Sequence, residues 1–136
     1  MGVIFWASAD SGSGHRSSRI FGPLLRWFVP EASPQKIEEL IFLIRKVAHV
    51  SEYAVLAWLA WRVFLVFRLP PDGTRPLRAA LWAWGLSVLY AATDEWHQTF
   101  VPTRVGTPVD VLIDAGGAAL GLCLVGLWWR WRRASR

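Results

Sequence analysis

Long apolar stretches, each bounded by polar or charged residues, dominate the chain. Val47 to Leu69 is apolar after its first turn and interrupted by Arg62; Leu77 to Gln98 is uncharged from Ala79 to Thr93, and Val111 to Trp131 is uncharged from Ala115 to Trp129. Each stretch has about the twenty residues that a bilayer requires. Helices are expected, because an open sheet leaves its edge backbone groups unsatisfied in lipid. Pro70, Pro71 and Pro76 close the first loop, and Pro102 and Pro108 break the second. The pattern therefore predicts an all-α, multi-pass transmembrane helical bundle with three full spans at 47–69, 77–98 and 111–131.

The preceding part of the chain reads differently. Ser8 to Ser18 is rich in Ser and Gly and is expected to be flexible. Ile20, Phe21, Leu24, Leu25, Trp27 and Phe28, interleaved with Arg19 and Arg26, predict a short interfacial helix. Ser33 followed by Pro34 is a helix start, and Ile37, Leu40, Ile41 and Ile44 recur at helical spacing, which predicts a second amphipathic helix running into the first span. Met1 to Ala7 is apolar but too short to cross a bilayer or to serve as a secretory signal, so a truncated first span is expected there. The whole, 1–136, reads as one membrane domain, with 8–46 as its extracytoplasmic segment.

Composition supports a membrane setting: 54% of residues are hydrophobic, ten are tryptophan, and only 18% are charged. Cys123 has no partner cysteine, so neither a disulfide nor a cysteine metal site is available within one chain. The net charge of +5 comes largely from arginines beside apolar segments and tryptophans, which fits lipid headgroups and not nucleic acid. Arg68, Arg75 and Arg78 in the first loop and Arg130, Arg132, Arg133 and Arg136 in the tail outweigh Arg104 in the second loop. The positive-inside rule then puts the first loop and the C-terminus in the cytoplasm and the acid-rich helix ends outside. Trp128, Trp129 and Trp131 would anchor the inner interface.

Those acid-rich ends carry the candidate chemistry. Glu52, Asp94 and Asp114 lie sixteen positions from Arg68, Arg78 and Arg130 along their own segments, so all three are expected at one depth. Lys46, His49, Glu52 and Tyr53 share one face of the first span at helical spacing. Tyr90, Asp94 and Gln98 form a second stripe, with Glu95 and His97 beside it. Because adjacent residues on a helix diverge, one of Asp94 and Glu95 is expected to face the bundle and the other a neighbouring helix or the interface. Asp110 and Asp114 are one turn apart on the last span, and below them Gly117 and Gly121 allow close approach of another helix, within the chain or from a second copy in a homo-oligomer. Arg104 sits in a short loop stiffened by Pro102 and suits a carboxylate or phosphate with two parallel hydrogen bonds. The histidine and acid spacing matches no strong zinc signature, and Ser51 and Thr99 have no base paired with them, so neither a metal, a cofactor nor nucleophilic catalysis is implied.

Taken in order, Lys46-x-x-His49-x-x-Glu52-Tyr53, Asp94-Glu95-x-His97-Gln98-x-Phe100-Val101-Pro102-x-Arg104-x-Gly106 and Asp110-x-x-x-Asp114-x-x-Gly117 resemble the VanZ-like family of bacterial membrane proteins. Phe5 to Ser11 resembles that family's exit from a first transmembrane helix, and Thr103 stands where the family commonly has glycine. The resemblance implies a protein of the bacterial cytoplasmic membrane, related to one that confers low-level resistance to teicoplanin, with Lys46, His49, Glu52, Asp94, Glu95, Gln98, Arg104, Asp110 and Asp114 as its polar motif. The expected function is an outward-facing polar pocket, to which Tyr53 also contributes, for a lipid-linked cell-wall precursor or a lipoglycopeptide. Two alternatives stay open: an acid/base enzyme using Glu52, Asp94 or Glu95 next to His49, and a small proton-linked transporter.

Overall fold

The computed structural model describes residues 14–66, 74–100 and 106–135, with backbone only for 14–20 and 133. The described residues form four helices: α1 (Gly14–Phe28), α2 (Pro34–Val66), α3 (Arg75–Gln98) and α4 (Pro108–Ala134). The chain divides into two compact units, Met1–Ala48 with Asp94–Gly106 and His49–Thr93 with Thr107–Arg136.

Local chemistry sets the helix boundaries. Ser33 caps α2 by accepting a hydrogen bond from the Lys36 amide at 3.2 Å, with Pro34 as the first helical residue. Thr107 does the same for α4: its side chain accepts from the Asp110 amide at 3.2 Å, Pro108 follows it, and Asp110 sits in the first turn, where the helix dipole favours an anion. At the other end of α2 the Arg75 guanidinium donates to the Leu65 carbonyl, which would otherwise be an orphan acceptor of the last turn.

One expectation changes here and one holds. α1 begins at Gly14, inside the Ser/Gly-rich stretch expected to be flexible. Extending an existing helix costs far less than starting one, so the apolar periodicity from Ile20 onward carries helix back into weak formers. The amphipathic start and the first span are one uninterrupted helix of 33 residues, with no glycine or proline after Pro34 to break it. Expectations for Met1–Ala7, Leu69 and Arg104 fall outside the described residues.

The all-helical expectation holds, and the three full spans are supported only in part. Among the described residues, one stretch, Pro108–Arg132 in α4, is long and apolar enough to cross a membrane by length and composition. Glu52 and Arg62 interrupt α2, and α3 carries Ser87, Tyr90, Thr93 and several tryptophans among alanines of modest hydrophobicity. All three helices nevertheless expose large apolar side chains: Val55, Leu59 and Val63 on α2, Leu81, Trp82 and Leu89 on α3, Leu120, Leu124 and Leu127 on α4.

In the second unit, small residues let the helices approach. Ala79, Ala83, Ser87 and Ala91 recur every fourth position on α3 and are all fully buried. Ala79 and Ala83 form a core with Ala60 and Trp61, flanked by Trp58, Phe64, Leu122 and Val125. The Trp61 indole donates to the Pro76 carbonyl at 3.1 Å, and the Trp84 indole to the Ala115 carbonyl on α4 at 3.1 Å. Between α2 and α4 the contact is tighter. A methyl group on Gly117 would lie 2.7 Å from the Val50 carbonyl oxygen and 2.9 Å from its Cα; on Gly121 it would lie 2.7 and 2.8 Å from the same atoms of Ala54. No L side chain fits there without separating the helices. The glycine face expected to admit another helix is thus filled by α2 of the same chain, and a homo-oligomer through Gly117 and Gly121 would have to displace it.

Candidate functional site

The glycine contact fixes the geometry of the first polar group. Val50 meets Gly117, so His49, one residue earlier on α2, stands opposite Asp114, three residues earlier on α4. Their closest atoms, His49 Nδ1 and Asp114 Oδ1, are 3.7 Å apart. That is an electrostatic contact, too long for a direct hydrogen bond. The Asp114 side chain is 2% exposed and the His49 side chain 24%. Asp114 Oδ2 is buried with no hydrogen-bond partner among the described residues. A carboxylate held away from water with one oxygen unmatched is costly, because it has lost its hydration without full replacement.

Other predicted site residues lie in the same unit. Tyr53 is fully buried, and its ring lies 6.4 Å from that of Tyr90 at an interplanar angle of 49°. Glu52 and Asp110 are half-buried, the latter in the first turn of α4 under the Thr107 cap.

The second group is built within the last turn of α3. Asp94, Glu95 and Gln98 are all buried, at 3%, 5% and 5% exposure. The Gln98 amide nitrogen donates to Asp94 Oδ2 at 3.0 Å and to Glu95 Oε1 at 3.2 Å. The expectation that the two acids diverge is corrected by this geometry. Gln98 follows Asp94 by four positions and Glu95 by three, so it projects between them and its two N–H groups draw both carboxylates inward. Gly106 lies against this turn, where a methyl group would run into the Glu95 carbonyl oxygen. In the same unit the Lys46 ammonium sits over the Phe42 ring, 5.3 Å from its centroid. Arg104 lies outside the described residues. Among the described residues no three His, Cys, Asp or Glu side chains are grouped so as to hold a metal ion.

Two features were not anticipated from the sequence. One is the pairing of His49 with Asp114, and the other is the Ala79-Ala83-Ser87-Ala91 stripe, whose fourfold spacing of small residues was present in the sequence.

A family model described as VanZ/LLP1 matches residues 1–129. The chain belongs to the VanZ/LLP1 family. Both polar groups and all four described helices except the last residues of α4 fall within the matched region. No curated protein and no solved structure is similar to the chain at a significant level. Family membership, together with the apolar Pro108–Arg132 stretch, supports a membrane protein.

Proposed function

We propose that this VanZ/LLP1 protein is a multi-pass protein of the bacterial cytoplasmic membrane that binds the polar head of an amphiphilic envelope component, a lipid-linked cell-wall precursor or a lipoglycopeptide. The observation that carries the reading is Asp114, a buried carboxylate with one unmatched oxygen beside a partly exposed imidazole. A ligand hydroxyl, amide or ammonium would supply the missing donor, and His49 would give the ligand a second polar contact. In the other unit, Lys46 and Arg104 are candidates for an anionic group such as a phosphate. The exposed apolar side chains on α2, α3 and α4 support a lipid environment for the whole bundle, with the C-terminus cytoplasmic and the polar helix ends outside. Teicoplanin resistance follows if the bound component is the antibiotic or its precursor target.

The test is binding of a labelled lipid-linked cell-wall precursor to the purified full chain and its Asp114→Asn and Arg104→Ala variants, alongside teicoplanin susceptibility of expressing cells. Loss of a hydrogen bond to a buried charge lowers affinity by about tenfold or more. Unchanged binding and susceptibility at equal protein levels reject the assignment.

A second reading has one observation in its favour. A buried acid behind a more exposed histidine can orient the imidazole and stabilise its protonated form, which suits proton transfer. An enzyme of that kind turns over envelope extract, with a rate that falls in Asp114→Asn while substrate binding persists.

A further inference from the structure

α1 presents two faces with different fates. Gly22 is buried and Phe21 and Leu25 half-buried, and a groove of about 510 Å³ between Gly22, Pro23 and Arg26 of α1 and Ile37, Glu38 and Ile41 of α2 marks the inner side. On the outer side Leu24, Trp27 and Phe28 are 51%, 75% and 67% exposed. The last two rings pack edge to face, 4.7 Å between centroids, so they present one rigid aromatic surface. At 3.6 residues per turn those three positions span an arc of about 100°, and the positions of Arg16, Arg19 and Arg26 fill an adjoining arc of about 80°. α1 contains no acidic residue.

An exposed aromatic surface bordered by the positions of Arg16 and Arg19, on a helix that carries no acid of its own, is complementary to an anionic phospholipid bilayer, while Arg26 lies at the groove edge beside Glu38. Arginine guanidinium groups meet the phosphates while Trp and Phe enter the headgroup boundary. A protein partner would need its own acidic rim around an apolar patch, whereas an anionic bilayer offers both chemistries over any extended surface. We infer that α1 is an anionic-lipid docking element, lying flat on the bilayer surface with Leu24, Trp27 and Phe28 inserted and its arginines bound to phosphate. The inference uses no residue of the polar site and stands or falls apart from it.

The experiment uses the full chain in nanodiscs, with Cys123→Ser removing the one native thiol and Leu24→Cys carrying a polarity-sensitive fluorophore. Discs contain either phosphatidylcholine alone or phosphatidylcholine mixed with phosphatidylglycerol, each with brominated acyl chains as quenchers. The expected result is strong quenching and blue-shifted emission in the phosphatidylglycerol discs, reversed by high salt. Replacing Arg16 and Arg19 with Gln lowers the docked-to-undocked ratio by about fivefold for each arginine removed. Unchanged circular dichroism establishes that the variant remains folded. A probe that stays water-exposed in both kinds of disc overturns the inference, as does equal quenching with and without phosphatidylglycerol.

Discussion

His49 Nδ1 and Asp114 Oδ1 face each other at 3.7 Å across the α2–α4 crossing, and the separation is set by glycines one and two turns further along α4. With Val50 against Gly117 and Ala54 against Gly121, the two backbones are as close as they can be. The polar pair therefore rests on a packing constraint and not on its own attraction.

The two side chains should be energetically coupled. Asp114→Asn keeps the shape and removes the charge; His49→Gln keeps a polar group and removes the ring. In a thermal-unfolding double-mutant cycle in detergent, the double variant is less destabilised than the sum of the singles, with a coupling of about 0.5–3 kcal/mol. Additivity within error would mean that the pair is only a neighbour relationship.

The glycines of α4 divide into two classes. Gly121→Val and Gly117→Val force backbone apart and cost about 1–3 kcal/mol or more. Gly116 and Gly126 have open space where a Cβ would go, so Ala at either position is neutral or stabilises by about 0.5–1 kcal/mol through lower unfolded-chain entropy. Melting temperatures of the four variants, measured in one detergent, check the ordering.

Gln98 holds two buried acids at once, so its loss reaches further than one hydrogen bond. Gln98→Leu removes the shared donor and destabilises by about 2–4 kcal/mol, the sum of two hydrogen bonds to charged groups discounted for partial relaxation. Gln98→Asn, whose amide is one methylene shorter, recovers little. Urea or thermal unfolding monitored by circular dichroism reads both.

Thr107 caps α4 at the end that carries Asp110 and Asp114. Thr107→Ala costs about 0.5–2 kcal/mol, whereas Thr107→Ser retains most of the cap. If the polar site depends on the start of α4, the alanine variant also weakens ligand binding, and the serine variant restores it.

Much of this arrangement was legible in the residues themselves. Ser33-Pro34 and the glycines of α4 carried their physical meaning openly, as a helix start and a close-approach face. Asp110 and Asp114 share a face because helical spacing alone requires it. The His49–Asp114 pairing was hidden because it depends on the register between two helices, which Gly117 and Gly121 set only once their partners, Val50 and Ala54, are known. The joint burial of Asp94 and Glu95 was hidden for a related reason: the divergence of adjacent side chains was weighed without the amide of Gln98 that spans them. Three spans were expected from apolar stretches of similar length, yet tryptophan, alanine and the charges of α2 make those stretches unequal, and α4 alone among the described helices is apolar enough by composition.

The central claim is that Asp114 is buried in order to meet a ligand's donor group. Lipidomic mass spectrometry of material co-purifying in gentle detergent with the wild-type chain, compared with folded Asp114→Asn, tests it most directly. The account predicts one amphiphile with a hydroxyl- or ammonium-bearing head group that is enriched on the wild type and depleted on the variant. Identical lipid profiles from the two proteins would contradict it.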